Sequence, residues 1–219
     1  MLTNMLGPKP DTKSPIYGVL FDFDGTLTRQ GAFDFDEIKR EIGCPPGTST
    51  LVYIDSLTDP EAKSRADSIL EKHEERAAKA AQLATGAREL ITSIKTDGVP
   101  MGIITRNSWK ALQSSFTRFN NIDMEEFDII ITRDSPFQLK PHPEGILHAC
   151  GHFSIDPSTM LVVGDYVDDI TAGNTAGAMT VFVDNRDDRS FDMPESTWII
   201  RSLEELGVLF GDPAGAGGI

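Results

Sequence analysis

The chain has 219 residues, a formal charge of −14 and only two cysteines. Its length allows a sizeable core in one large domain, or in one domain carrying an insertion. The acidic balance excludes a broad nucleic-acid footprint. No apolar run approaches the roughly 20 residues of a membrane helix, and the lack of CxxC argues against a disulfide framework or structural zinc and for a reduced, cytoplasmic setting.

Residues 1–14 hold Pro8, Pro10 and mixed polar residues without a signal-type apolar stretch, and read as a flexible leader. Ile16–Phe23 is a short apolar run ending in turn chemistry at Asp24-Gly25 and predicts the first central strand. The pattern recurs at Met101–Thr105, Phe127–Thr132, Met160–Gly164, Met179–Val183 and Thr197–Ile200. Continuous rather than alternating hydrophobicity suits a parallel sheet covered on both faces. Helical segments lie between: Ala87–Thr96, Asn107–Phe119, Pro143–Cys150, Val167–Ala176 and Leu203–Leu209. The alternation predicts a doubly wound α/β domain. Asn107 can cap a helix whose Trp109, Leu112, Phe116 and Phe119 share one face, and Asp97-Gly98 stops the preceding helix.

From Asp34 to Ala84 the alternation breaks. Asp34 with Glu37 resembles a capping box, with Ile38 and Ile42 following at helical spacing. Gly43–Thr50 is a loop rich in Gly, Pro, Ser and Thr, and Leu51–Ile54 fits strand or helix equally. Asp59-Pro60 then opens a long helix with Ala62, Ala66, Ile69 or Leu70, His73, Ala77 and Ala80 on one face. The economical reading is an all-helical insertion, residues 34–84, in an α/β core of residues 15–33 and 85–210, followed by a flexible tail, 211–219.

Chemistry gathers at the strand ends. Asp22 and Asp24 follow the first strand, where alternation puts both carboxylates on one side and Gly25 lets the chain turn away. One such Asp can attack phosphorus while the other exchanges protons with the leaving oxygen. Thr105 ends the second apolar run, where its hydroxyl and the Arg106 N–H can hold phosphate oxygens. Arg106 is also readable as a solvated arginine and Asn107 as a helix cap. Lys140 precedes Pro141 and Pro143 in a stiff segment able to present its ammonium. Asp165 follows the Met160–Gly164 run, with Asp168 and Asp169 in the next helix's first turn. Asp165 is the expected direct Mg²⁺ ligand, Asp169 a supporting metal-site residue and Asp168 a helix-dipole partner. Three carboxylates around a phosphate dianion would repel it without Mg²⁺ and Lys140.

The runs FDFDGTLT, GIITRN, LKPHPEG and LVVGDYVDD, in that order, resemble the haloacid dehalogenase (HAD) superfamily, subfamily I with a helical C1 cap, of the phosphoglycolate phosphatase type. The resemblance implies a Rossmann-like parallel-sheet core with a small helical cap. It assigns Asp22 as nucleophile and Asp24 as general acid/base, and lends the Asp24 carbonyl to the metal. The implied site is thus Asp22, Asp24 and Lys140 in catalysis, Thr105, Arg106 and Asn107 on substrate, and Asp22, Asp24, Asp165 and Asp169 around Mg²⁺. The implied partner is a small phosphorylated metabolite such as phosphoglycolate or a sugar phosphate, with no nucleic acid or membrane, acted on by a monomer or homodimer. A sugar phosphomutase shares every core motif and is the enzymatic rival; a non-catalytic phosphometabolite-binding protein is the rival of another class. The Gly43–Thr50 loop is either the part of the cap that faces the site or a plain interhelix turn.

Overall fold

Apolar runs bounded by turn residues become buried parallel strands in the computed structural model, which describes residues 15–31, 33–120, 122–185 and 195–210. The expected leader and tail lie outside the described residues. The strands are β1 (Gly18–Phe21), β2 (Met101–Ile104), β3 (Ile129–Ile131), β4 (Met160–Gly164), β5 (Met179–Val183) and β6 (Trp198–Ile200). They form one parallel sheet in the order β3-β2-β1-β4-β5-β6, with Val19 facing Met101 on one side and Leu161 on the other. The order reverses beside β1, and the carboxyl ends there open the crevice in which such sheets bind ligands.

The two-residue period of a strand divides the core. Val19, Phe21, Ile103, Leu161 and Val163 pack with Leu90, Ile94, Leu112 and Phe116 from α4 (Ala87–Thr96) and α5 (Trp109–Phe116). Leu20, Ile104, Ile131 and Val162 pack on the other face with Ile146, Ala149 and Ala172 from α6 (Glu144–Phe153) and α7 (Val167–Ala176). Leu203–Leu209, expected as an α-helix, is a continuous 3-10 stretch with Leu203 and Leu206 buried. The chain has an α/β core built on a parallel sheet, with a helical cap inserted between β1 and β2.

The cap contains α1 (Phe35–Ile42), α2 (Thr50–Ser56) and α3 (Pro60–Ala80). Leu51–Ile54 therefore resolves as helix. Ile38, Ile54, Ala66 and Leu70 make a separate small core under these helices, and α3 also packs on α5. His73 and Ala77 of the expected stripe are buried, whereas Ala80, the last residue of α3, is exposed. Asp34 caps α1 by accepting from Glu37 N at 2.8 Å, but Glu37 bonds Arg76 instead of closing a capping box. The entering and leaving linkers pair with each other: Arg29 N donates to Gln82 O at 2.9 Å and Ala84 N to Leu27 O at 2.8 Å. Among the described residues, no helix is long and apolar enough to cross a membrane.

Candidate active site

Asp22 extends the sheet by one step, its N–H donating to Val163 O at 2.8 Å. Phe23 is fully buried, its ring 5.7 Å from that of Phe116, and this anchors the residue between the two aspartates in the core. The next five residues make a wide turn closed by Thr28 N on Phe23 O at 2.9 Å. Gly25 supplies its φ of +80°, and a Cβ there would fall 2.1 Å from Asp165 Oδ2. Glycine is therefore needed twice, for the left-handed backbone and for the approach of Asp165. Asn185, just past β5, braces the turn by donating Nδ2 to Gly25 O at 2.6 Å.

Lys140 joins the strand ends. Its buried ammonium lies 2.6 Å from Asp22 Oδ1 and 2.5 Å from Asp169 Oδ1, and donates to Ile104 O at 2.8 Å. Those three partners use all three N–H bonds of a lysine. Asp169 is fixed from behind, its Oδ2 accepting from Tyr166 N at 3.1 Å. Gly164 makes room for it, since a Cβ there would meet the Asp169 Cβ at 2.3 Å. Asp165 accepts from Gln30 Nε2 at 2.9 Å. Asp24 accepts from Asn107 Nδ2 at 2.6 Å.

Burial sets the electrostatics. It raises the Asp24 pKa to about 7, helped by the Asp22 charge and opposed by the Asn107 hydrogen bond. It also raises Asp22, although the Lys140 ammonium pulls the other way. Asp165 and Asp169 are each pushed up to about 6, again chiefly by burial. Burial lowers the Lys140 pKa, but Asp169 and Asp22 outweigh it and hold the amine above its ordinary value. One ammonium thus serves several crowded carboxylates. Oxygens of Asp22, Asp165 and Asp169 lie within 4.8 Å of one another. A hard, oxygen-seeking divalent cation fits that charge deficit and that donor set.

Asp22, Asp24, Lys140, Asp165 and Asp169 are brought together at the carboxyl ends of β1, β3 and β4. Thr105 is buried at the end of β2, its Oγ1 accepting from Asn107 N at 3.1 Å. The expected cap role of Asn107 is overturned. Ser108 is the N-cap, accepting from Ala111 N at 3.2 Å, and Asn107 is turned to Asp24. The shift also moves Trp109 off the buried face, leaving it exposed. Arg106 pairs with Asp168 and donates to Lys140 O at 2.5 Å, so its guanidinium braces the lysine loop. Asp168, expected as a dipole partner, is the other half of that brace. Gly43–Thr50 links α1 to α2, and among the described residues the thiol of its buried Cys44 bonds only within the loop, to Pro45 O and Thr48 O.

The sequence reading passed over Gln30, Asn185 and a cap–core trio, Glu74, Ser108 and Arg133. Asn185 carried the signal used elsewhere, a polar residue just past an apolar strand. Gln30 carried none.

The chain matches the family of haloacid dehalogenase-like hydrolases over residues 19–183. It belongs to that family. It is 29% identical to an uncharacterized hydrolase of Saccharomyces cerevisiae over 192 residues, 87% of this chain and 88% of that protein. It is 27% identical to a phosphoglycolate phosphatase of Nitrosococcus oceani over 220 residues, 90% of this chain and 97% of that protein. The fold is shared with a crystal structure of a HAD hydrolase, family IA, variant 3, from Entamoeba histolytica, with a TM-score of 0.72 and 24% identity over 87% and 95% of the two chains. The protein is therefore a HAD-family hydrolase carrying an aspartate cluster compatible with a divalent cation.

Proposed function

We propose that this hydrolase is a Mg²⁺-dependent phosphatase that cleaves small phosphomonoesters through an aspartyl-phosphate on Asp22. The observation that carries the reading is the pairing of two unlike carboxylates. Asp22 touches the Lys140 ammonium, whereas Asp24, two residues on, has no cation against it among the described residues and a pKa near 7. Unlike charge environments of this kind assign nucleophile and acid to paired carboxylates.

Asp22, Asp165 and the Asp24 carbonyl would hold Mg²⁺, with Asp169 supporting, and the ion would supply positive charge against the phosphoryl oxygens. A carboxylate oxygen of Asp22 attacks phosphorus and the ester P–O bond breaks, while Asp24 gives its proton to the leaving oxygen. Asp24, now ionised, takes a proton from water as that water attacks the aspartyl-phosphate. The P–O bond to Asp22 breaks, and inorganic phosphate and free Asp22 result. Lys140 offsets negative charge on Asp22 throughout. The Thr105 hydroxyl and Arg106 N–H contact the phosphoryl oxygens, and Asn107 orients Asp24.

The test is release of inorganic phosphate from a panel of phosphorylated metabolites in the presence and absence of Mg²⁺. Mg²⁺-dependent release from small phosphomonoesters is expected. Conversion of a sugar 1-phosphate into its 6-phosphate isomer faster than phosphate appears would overturn the phosphatase reading in favour of a mutase.

A further inference from the structure

One buried charge pair ties the cap to the core beside Asp24. Glu74 lies on α3 with its side chain 4% exposed, and its two oxygens face both terminal nitrogens of Arg133, one of them at 3.1 Å. Ser108 Oγ donates to the same carboxylate at 2.8 Å. Arg133 in turn donates its backbone N–H to Asn107 O at 3.1 Å, and Asn107 holds Asp24 at 2.6 Å. The residue that carries the pair's arginine is thus bonded to the residue that holds Asp24. Glu74 also adds, after burial and the charges of Asp22 and Asp165, to the raised pKa of Asp24, so its field reaches that carboxyl.

Among the arginines and lysines on the loops after β2 and β3, Arg106 is held by Asp168, Lys140 by Asp22 and Asp169, and Arg133 by Glu74. A carboxylate on the leaving group would lose its water and meet a cation already neutralised in a two-point pair. Hydroxyls bring no such charge and can still hydrogen-bond to the remaining N–H groups of Arg133.

We propose that Glu74 is a specificity-determining residue: by neutralising Arg133 it selects phosphomonoesters with an uncharged, hydroxyl-bearing leaving group over those with a carboxylate next to the ester oxygen. The inference rests on the phosphatase reading above and narrows its substrate class to polyol and sugar phosphates.

The test compares kcat/KM for uncharged polyol and sugar phosphates with that for 2-phosphoglycolate, in wild type, Glu74→Gln and Arg133→Gln. Wild type should favour the uncharged esters by about tenfold or more. Glu74→Gln keeps the hydrogen-bonding shape but frees the Arg133 charge, and should shrink that preference. Arg133→Gln leaves Glu74 unbalanced and should enlarge it. A merely structural latch would move both variants the same way. That outcome, an unchanged ratio in the variants, or a wild-type preference for 2-phosphoglycolate would overturn the proposal. If Glu74→Gln fails to fold, the sign of the Arg133→Gln shift decides alone. Wild type releasing phosphate from neither class would instead reject the phosphatase reading, and this inference with it.

Discussion

The core and the cap handle charge in opposite ways. In the core, Lys140 is buried against Asp22 and Asp169, with side-chain exposures of 4%, 12% and 3%. In the cap the pairs Lys63–Asp55, Arg65–Glu61 and Lys79–Glu75 are largely in water. Exposed pairs of this kind contribute little to stability. The cap is held instead by the small apolar cluster of Ile38, Ile54, Ala66 and Leu70, and by the apolar face that α3 lays on the core. Buried like charges cost free energy that only a strong parallel-sheet core offsets, and they persist where chemistry needs them. The cap carries no such burden, apart from Glu74 and His73, which are buried on α3.

After loss of the proposed nucleophile Asp22, the largest effect should come from the proposed acid, Asp24. Asp24→Asn removes the exchangeable proton but keeps the shape, and turnover should fall about 10²–10⁴-fold. Phosphorylated protein should then be easier to catch by rapid quench. Unchanged rates for both half-reactions would refute the role given to Asp24.

Lysine substitutions sharpen the contrast between the regions. Lys140→Met leaves Asp22 and Asp169 without their shared cation, and should cost about 3–5 kcal/mol of unfolding free energy in denaturant titrations. Lys63→Met, in the cap, should change stability by less than about 1 kcal/mol. Equal losses would contradict the division drawn above.

The pH dependence should be smaller and metal-sensitive. Asp24, Asp165 and Asp169 have folded pKa values near 7, 6 and 6, all above the ordinary 3.8. Each binds its proton more tightly folded than unfolded. Their stabilising share is thus complete below the unfolded value and drains away as pH rises through about 6 to 7. Lys140, raised from 10.5, loses its own share only at pH values above that. The melting temperature of metal-free protein should therefore fall from pH 5 to pH 8. Under the proposed function Mg²⁺ should oppose the fall, because it would bind the deprotonated carboxylates. A flat profile with and without Mg²⁺ would count against this electrostatic account.

What was legible in the sequence follows the same division. Each core strand is an apolar run that ends in a polar residue, so Asp22, Thr105 and Asp165 announce both strand end and site. Val167–Ala176 and Ala87–Thr96 were readable to the residue from their flanking turns. The N-terminus of α5 was not. Asn107 and Ser108 can both cap a helix, and only the tertiary pull of Asp24 decides that Asn107 turns inward. Glu74 was equally hidden. It is one of several glutamates on α3, and nothing local separates it from the exposed Glu71 and Glu75. Its role arises from Arg133 and Ser108, which lie 59 and 34 residues away in the chain.

The most direct test of the central claim is to quench the protein during turnover of a labelled phosphomonoester with Mg²⁺ and to map the label. The account predicts acid-stable label on the peptide that carries Asp22, and neither label nor appreciable turnover in a folded Asp22→Asn protein. Turnover close to wild type in Asp22→Asn, or label carried on another residue, would contradict it.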